Sequence, residues 1–268
     1  MVLENRFNKL IEARHGTILY NKNDIYIGKS IEKYGEFSYL EAKIFEQICK
    51  DKDIVIEVGA NIGAHTIYLS KLVGNGFVIA YEPQRLVFQN LCANLALNSI
   101  SNVFAYQEAV SNENGTIIIP ECNFKENNNF GGINIENTKN GTTVNKQKLD
   151  NFLNKINRLK LLKIDVEGME ISVIKGASEL IKKFRPMIYV ENDRQEHSKE
   201  LIELLWSLDY KMYWHLPKLY NENNFFNDKE NIFGNIVSVN MFCIHKDSNI
   251  KILDMTEVLD SSFHPMKR

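Results

Sequence analysis

The sequence predicts an α/β fold: a largely parallel sheet with helices on both faces. Two observations carry this. From Asp53 onward, short apolar runs alternate with segments of helical period, which is the pattern of strand–helix–strand units. The turns that follow the apolar runs also carry glycine or acidic residues, as expected at the carboxyl ends of parallel strands. The chain has 268 residues, enough for a sizeable core, and 44% of them are hydrophobic, in the ordinary range for a globular protein.

The elements follow in order. Apolar spacing predicts helices over 2–14 and 38–50, flanking a hairpin made of Thr17–Tyr20 and Asp24–Ile27. Ile54–Val58 is a short apolar run, as in a strand buried on both faces. A glycine turn leads to a helix from Ala64 to Val73, then to a strand at Phe77–Tyr81 and a helix at Gln84–Leu97. Strands are expected at Val103–Gln107, Gly115–Ile119, Leu159–Ile164 and Met187–Val190. Helices are expected around 168–183 and 196–208, and two closing strands at Tyr210–Trp214 and Asn240–Ile244. Two segments break the rhythm, at 120–145 and 215–238; insertions of this length are frequently lids or substrate loops. The organisation expected is an N-terminal helix and hairpin extension (1–50), a main domain (51–250) and a C-terminal tail (251–268).

The stretch 54–72, IVIEVGANIGAHTIYLSKL, is a strand, a turn and a helix. Gly59 permits a tight turn and close backbone approach, Asn61 tolerates a left-handed conformation, and Gly63 lets the helix start pack closely; Ala60 lies between them. A dinucleotide fingerprint would place glycine where Asn61 stands, so a pyrophosphate ligand is disfavoured. The acidic Glu57 ahead of the turn suits a cationic ligand such as the sulfonium of S-adenosylmethionine (SAM). Glu82 ends the next strand and would accept hydrogen bonds from ribose hydroxyls, with Pro83 closing the strand. Glu108, at the end of the third strand, is expected to face the adenine edge.

The stretch 159–177, LKLLKIDVEGMEISVIKGA, gathers further acids at a strand end. Asp165 should point into the cleft. Glu170 is read as a cap of the following helix. The neighbouring strand finishes at Glu191 and Asn192. Asp165, Glu191 and Asn192 could hold Mg²⁺ through oxygen ligands, or a carboxylate could act as general base. His65 and His197 are read as exposed or helix-capping residues. Cys49, Cys92 and Cys243 read as core residues of a reducing compartment, and the four scattered cysteines offer no zinc spacing.

These motifs resemble the FkbM family of methyltransferases. The resemblance lies in EVGANIGAHTIYLSK (57–71), AYEPQRLVFQNLCANLALN (80–98), EAVSNENGTI (108–117), LLKIDVEGMEISVIKGA (161–177) and MIYVEN (187–192). It implies a class I, Rossmann-like sheet of about seven strands. It also implies SAM bound at Glu57, Gly59, Asn61, Gly63 and Glu82, and Asp165 and Glu167 match its DVEG motif. Read from their strand-end positions, Ala60, Pro83, Glu108 and Asp165 join the expected cofactor site, and Asp165, Glu167 and Glu191 are the catalytic candidates. The implied reaction is O-methylation, here of a sugar or nucleotide-sugar hydroxyl in glycan biosynthesis. Other readings are a polyketide, lipid or amine acceptor, a nicotinamide-dependent oxidoreductase, and a non-catalytic SAM-fold binding protein. A formal net charge of -2 argues against nucleic acid as partner. The absence of a basic start followed by an apolar core, and of any apolar run of spanning length, points to a cytoplasmic protein, as monomer or oligomer.

Overall fold

All five residues of Ile54–Val58 are buried, because this strand lies at the centre of a sheet covered on both faces. A computed structural model of the chain describes residues 3–4, 7–133, 138 and 140–266. In chain order its elements are β1 (Leu3–Glu4), β2 (Asn8–Ala13), β3 (Gly16–Asn21), α1 (Ile27–Tyr34), α2 (Tyr39–Ile48), β4 (Ile54–Val58), α3 (Ala64–Val73), β5 (Phe77–Tyr81), α4 (Arg85–Leu97) and β6 (Val103–Tyr106). There follow β7 (Ala109–Val110), β8 (Gly115–Ile119), β9 (Thr142–Gln147), β10 (Leu161–Ile164), α5 (Glu170–Lys175), α6 (Ser178–Phe184), β11 (Met187–Glu191), α7 (Gln195–Ser207), β12 (Tyr210–His215), β13 (Asn240–His245) and β14 (Thr256–Glu257).

The main sheet runs β14-β12-β13-β11-β10-β4-β5-β6. Its central strands β11, β10, β4, β5 and β6 are parallel, and β13 is antiparallel to both its neighbours. Seven of the expected strands (β4, β5, β6, β10, β11, β12 and β13) form this sheet, the expected strand at Gly115–Ile119 (β8) lies outside it, and β14, in the expected C-terminal tail, adds a two-residue eighth at the edge. This is an open, largely parallel Rossmann-like sheet, as expected. The chain leaves β4 toward β5 and β6, then returns to β10 on the other side of β4. That reversal opens a crevice at the carboxyl ends of β4 and β10.

Side chains alternate across the sheet. Ile56, Val58, Leu162, Ile164, Ile188 and Val190 pack against α5, α6 and α7. Val55, Leu161 and Tyr189 face α2 and α3 through Phe45, Leu69 and Val73. In the register of β4, β10 and β11, Glu57, Lys163 and Tyr189 form one cross-strand row on this second face.

In the first fifty residues the strand at Thr17–Tyr20 and the helix at 38–50 are present as β3 and α2, and the rest departs from expectation. Residues 8–13 form a strand rather than a helix, and the hairpin pairs β2 with β3 around Arg14 and His15. The apolar residues of this stretch are too few to fix a period, and pairing with Ile18 and Tyr20 decides it. The expected strand at Asp24–Ile27 is instead a helix start, where Asp24 accepts hydrogen bonds from the amides of Tyr26 and Gly28. Asn94 of α4, wholly buried, fastens the hairpin to the body by accepting from the Leu19 amide at 2.6 Å. It also donates to the carbonyls of Leu19 and Ile62.

Three smaller differences follow. The helix expected at 168–183 is split at Gly176, whose close approach to the Ser111 carbonyl leaves no room for a side chain. The end of the 120–145 segment is not irregular: β9 pairs with β8 and β7 in a separate small sheet. Cys92 is exposed on α4, whereas Cys49 and Cys243 are buried; all four cysteines are free. Among the described residues no helix is long and apolar enough to cross a membrane.

Candidate active site

A cavity of about 400 Å³ lies in the crevice between β4 and β10. Its size suits a small organic ligand. The turn after β4 forms one wall. Gly59 has φ +83° and Gly63 φ +86°, and Asn61 between them adopts φ +50°. A β-carbon on Gly59 would come within 1.7 Å of the Asp165 carbonyl oxygen, so glycine is required where the β4 and β10 ends meet. The amides of Gly59 and Ala60 both donate to the Tyr81 carbonyl of β5, which fixes the turn over the sheet.

Glu82 is buried at the end of β5. Its carboxylate accepts the Asn61 amide at 3.0 Å and the Gln84 amide at 2.8 Å, tying two loops together. Burial pushes its pKa up to about 7. Glu57 lies beneath the turn, 1% exposed. It accepts a hydrogen bond from the Thr66 hydroxyl at 2.6 Å and stands 3.8 Å from the Lys163 ammonium. Burial raises its pKa to about 6, with Lys163 and Thr66 opposing.

Lys163 is the one site cation that β10 itself supplies. A buried ammonium is costly unless paired. Burial works to lower its pKa, but Asp165 at 3.2 Å, Glu57 and Glu41 hold it above the ordinary lysine value. Glu41 enters from α2 and accepts the Ser38 hydroxyl at 2.6 Å and the Asn240 amide at 3.3 Å. Burial lifts its pKa to about 7.

Beyond Asp165 the cavity continues over the ends of β10 and β11. Carboxylate oxygens of Asp165, Glu167 and Glu191 lie within 4.8 Å of one another. Glu167, in a left-handed conformation (φ +53°), receives the Arg194 guanidinium at 2.5 Å. Its pKa rises to about 8 through burial, then the charges of Asp165 and Asp193. Glu191 is pushed well above the ordinary carboxylate range, by burial and by the same acidic neighbours. Its Oε2 is buried with no hydrogen-bond partner. Glu170 caps the turn by accepting the Gly168 and Val166 amides, as the sequence suggests.

The structure brings together Glu57, Gly59, Ala60, Asn61, Glu82, Asp165, Glu167 and Glu191 around this cavity. It places others elsewhere. Gly63 supports the turn from behind, against Leu91. Pro83 borders a separate cavity of about 140 Å³. Glu108 accepts a hydrogen bond from Gln147 of β9 and is not in the cavity wall. Asn192 turns its amide to Ser198 and Met241, so Glu167 rather than Asn192 completes the carboxylate group. His65 is neither exposed nor a cap: it is buried in the cavity wall against Phe37 and Phe45, and desolvation keeps it neutral.

The sequence reading gave no role to Glu41, Lys163 and Arg194. Lys163 had a signal, since a lysine inside an apolar strand demands partners. Glu41 and Arg194 had none, because only the packing of α2 and of the β11–α7 turn brings them in. The two irregular segments do reach the cavity, through Asn129, Gly131 and Gly132 and through Leu219, Ile236 and Val237. The Tyr and Phe residues in its wall are Tyr26 and Phe37.

The model of the methyltransferase FkbM domain matches residues 57–212, more than half of the chain. The chain belongs to the FkbM family of methyltransferases. As an FkbM protein it is a SAM-dependent methyltransferase. Among curated relatives, methyltransferase sdnD of Sordaria araneosa is 26% identical over 181 residues, covering 54% of this chain and 70% of that protein. Methyltransferase 1 of Beauveria bassiana is 25% identical over 172 residues, covering 54% and 68%. A solved FkbM methyltransferase from Methylobacillus flagellatus is 17% identical with a TM-score of 0.45, covering 76% of this chain and half of that structure. The residues present fit the FkbM cofactor. The Gly59–Asn61 turn and the buried carboxylates of Glu57 and Glu82 line the cavity, and carboxylates outnumber cations among its lining residues, which suits a cationic ligand.

Proposed function

We propose that this methyltransferase acts on a hydroxyl of a small polar acceptor, a sugar or glycan precursor. The observation that carries this is the carboxylate group of Asp165, Glu167 and Glu191 at the cavity, beside the cofactor turn. Glu82 would accept the ribose hydroxyls, and the 59–63 turn would hold the amino-acid tail. SAM supplies an electrophilic methyl carbon: the hydroxyl oxygen forms the C–O bond as the S–C bond breaks, its electron pair staying on sulfur.

The chain's own work is positioning, exclusion of water and acceptance of one proton. Asp165 is the base in this reading. Lys163 occupies its Oδ2 at 3.2 Å, and Oδ1 is left for the acceptor proton. The carboxylate is 39% exposed and so within reach of a ligand. The segments 120–145 and 215–238 would wall the acceptor side.

Three clustered carboxylates are also a donor set for Mg²⁺. Arg194, already on Glu167, opposes this, since a guanidinium in the coordination sphere repels a second cation. The test is transfer of isotopically labelled methyl from SAM to a panel of sugars and nucleotide sugars, with and without EDTA. Label on a hydroxyl supports the reading, and insensitivity to EDTA supports Asp165 acting directly. Label only on lipid, polyketide or polymer acceptors would refute the sugar assignment.

A further inference from the structure

The charges of the cavity are unevenly distributed. On the acceptor side of the turn, Asp165, Glu167, Glu191 and Asp193 all line the wall, against two cations, Lys163 and Arg194. Both cations are already engaged. Lys163 serves Asp165 and Glu57, and Arg194 lies 2.5 Å from Glu167 and 3.4 Å from Asp193. Among the described residues no ion pair reaches Glu191, and its Oε2 is buried without a hydrogen-bond partner. Such an oxygen is costly to leave unsatisfied, and a donor from the ligand would relieve it. Asp193 is half-exposed to the same space, with its side chain 38% accessible. Leu219, Ile236, Val237, Ser238 and Val239 also line the cavity and contribute no charge.

A nucleoside diphosphate or other anion in this half of the cavity would add charge of the sign already in excess. A cation would meet Glu191, which no ion pair reaches among the described residues, and Asp193, whose one cation, Arg194, is shared with Glu167, in a sheltered setting where Coulomb attraction is stronger than in water. We propose that the acceptor carries a protonated amine beside the hydroxyl that is methylated, received by Glu191 and Asp193; the acceptor is an amino sugar or a related amino alcohol. This deepens the hydroxyl-acceptor reading above and rests on it. The amine makes no bond in the reaction. The hydroxyl oxygen gains the methyl group and gives its proton to Asp165, while the ammonium keeps its own protons and fixes the orientation.

The test separates recognition from turnover. The protein, loaded with S-adenosylhomocysteine, is titrated calorimetrically with glucosamine, galactosamine and 2-aminoethanol, and with N-acetylglucosamine, glucose and glucose 1-phosphate. At least one amine is expected to bind at least about tenfold more tightly than every uncharged or anionic compound. Asp193→Asn should remove that preference while leaving SAM affinity unchanged; a merely structural role would shift all ligands alike. Equal or tighter binding of the N-acetyl, neutral or phosphorylated compounds would overturn the inference. So would heat from MgCl₂ alone that disappears in Glu191→Gln, because a metal would then supply the missing charge. The methyl-transfer panel is scored separately. Label on neutral sugar hydroxyls without amine preference would leave the hydroxyl reading standing and remove this one. Amine binding with label on nitrogen would overturn both, since the amine would then be the methylated group.

Discussion

Gly59 and Asp165 meet backbone to backbone: a β-carbon on Gly59 would lie 1.7 Å from the Asp165 carbonyl oxygen. This contact couples the cofactor turn to the strand end that carries the carboxylates. Gly59→Ala should lower stability by at least about 3 kcal/mol in urea unfolding, through strain and steric overlap together. Gly234→Ala is the control. It shares a positive φ of 57° but has open space around it, so about 1 kcal/mol is expected. Similar losses in the two variants would show that the close contact with Asp165 carries no weight.

Glu82→Ala should weaken SAM binding by at least about tenfold in calorimetry, roughly 1.4 kcal/mol. Two effects combine. The ribose partner is lost, and the amides of Asn61 and Gln84 lose their acceptor, which loosens the turn. Unchanged affinity would remove Glu82 from the cofactor site.

Asp165→Asn should cut turnover by about 100-fold or more while SAM affinity stays near that of the parent. The amide keeps the shape but cannot accept the proton. Near-normal turnover would exclude Asp165 as the base and shift attention to Glu191.

Stability should carry the signature of the buried carboxylates. The folded-state pKa of Glu41, about 7, lies above its ordinary value of 4.5. The folded protein therefore holds that proton more tightly than the unfolded chain does. The group's contribution is fully present below about pH 4.5 and is lost as pH rises through about 7. At pH 8 the cost is on the order of 3 kcal/mol. Glu41→Gln should thus gain stability relative to the parent between pH 5 and pH 8, measured by thermal unfolding. Parallel curves for the two proteins would contradict a net cost for this buried charge.

Asn94→Ala should destabilise the fold by about 2–4 kcal/mol, because it strands the amide and carbonyl of Leu19 and the carbonyl of Ile62 in a buried setting. Hydrogen exchange should accelerate in β3 and in the 59–63 turn while β10 and β11 stay protected. Uniform acceleration would instead indicate global unfolding.

The sequence by itself determined the central sheet. The runs at Ile54–Val58 and Phe77–Tyr81 are local, strongly apolar and bounded by turn residues, so their boundaries were legible and the structure keeps them unchanged. The placing of Glu82, Asp165 and Glu191 at strand ends followed, since a parallel sheet presents those ends at one edge. Where the signal was not local, tertiary structure decided. Strand rather than helix at 8–13 depends on pairing with β3. The turn of Asn192 away from the cavity depends on Ser198 and Met241, and the capture of Glu108 by Gln147 depends on the small sheet. The charge balance of the site was hidden for the same reason. Glu41 lies 124 residues from Asp165 in the chain, and only the packing of α2 over the row of Glu57, Lys163 and Tyr189 brings its carboxylate to the cavity floor.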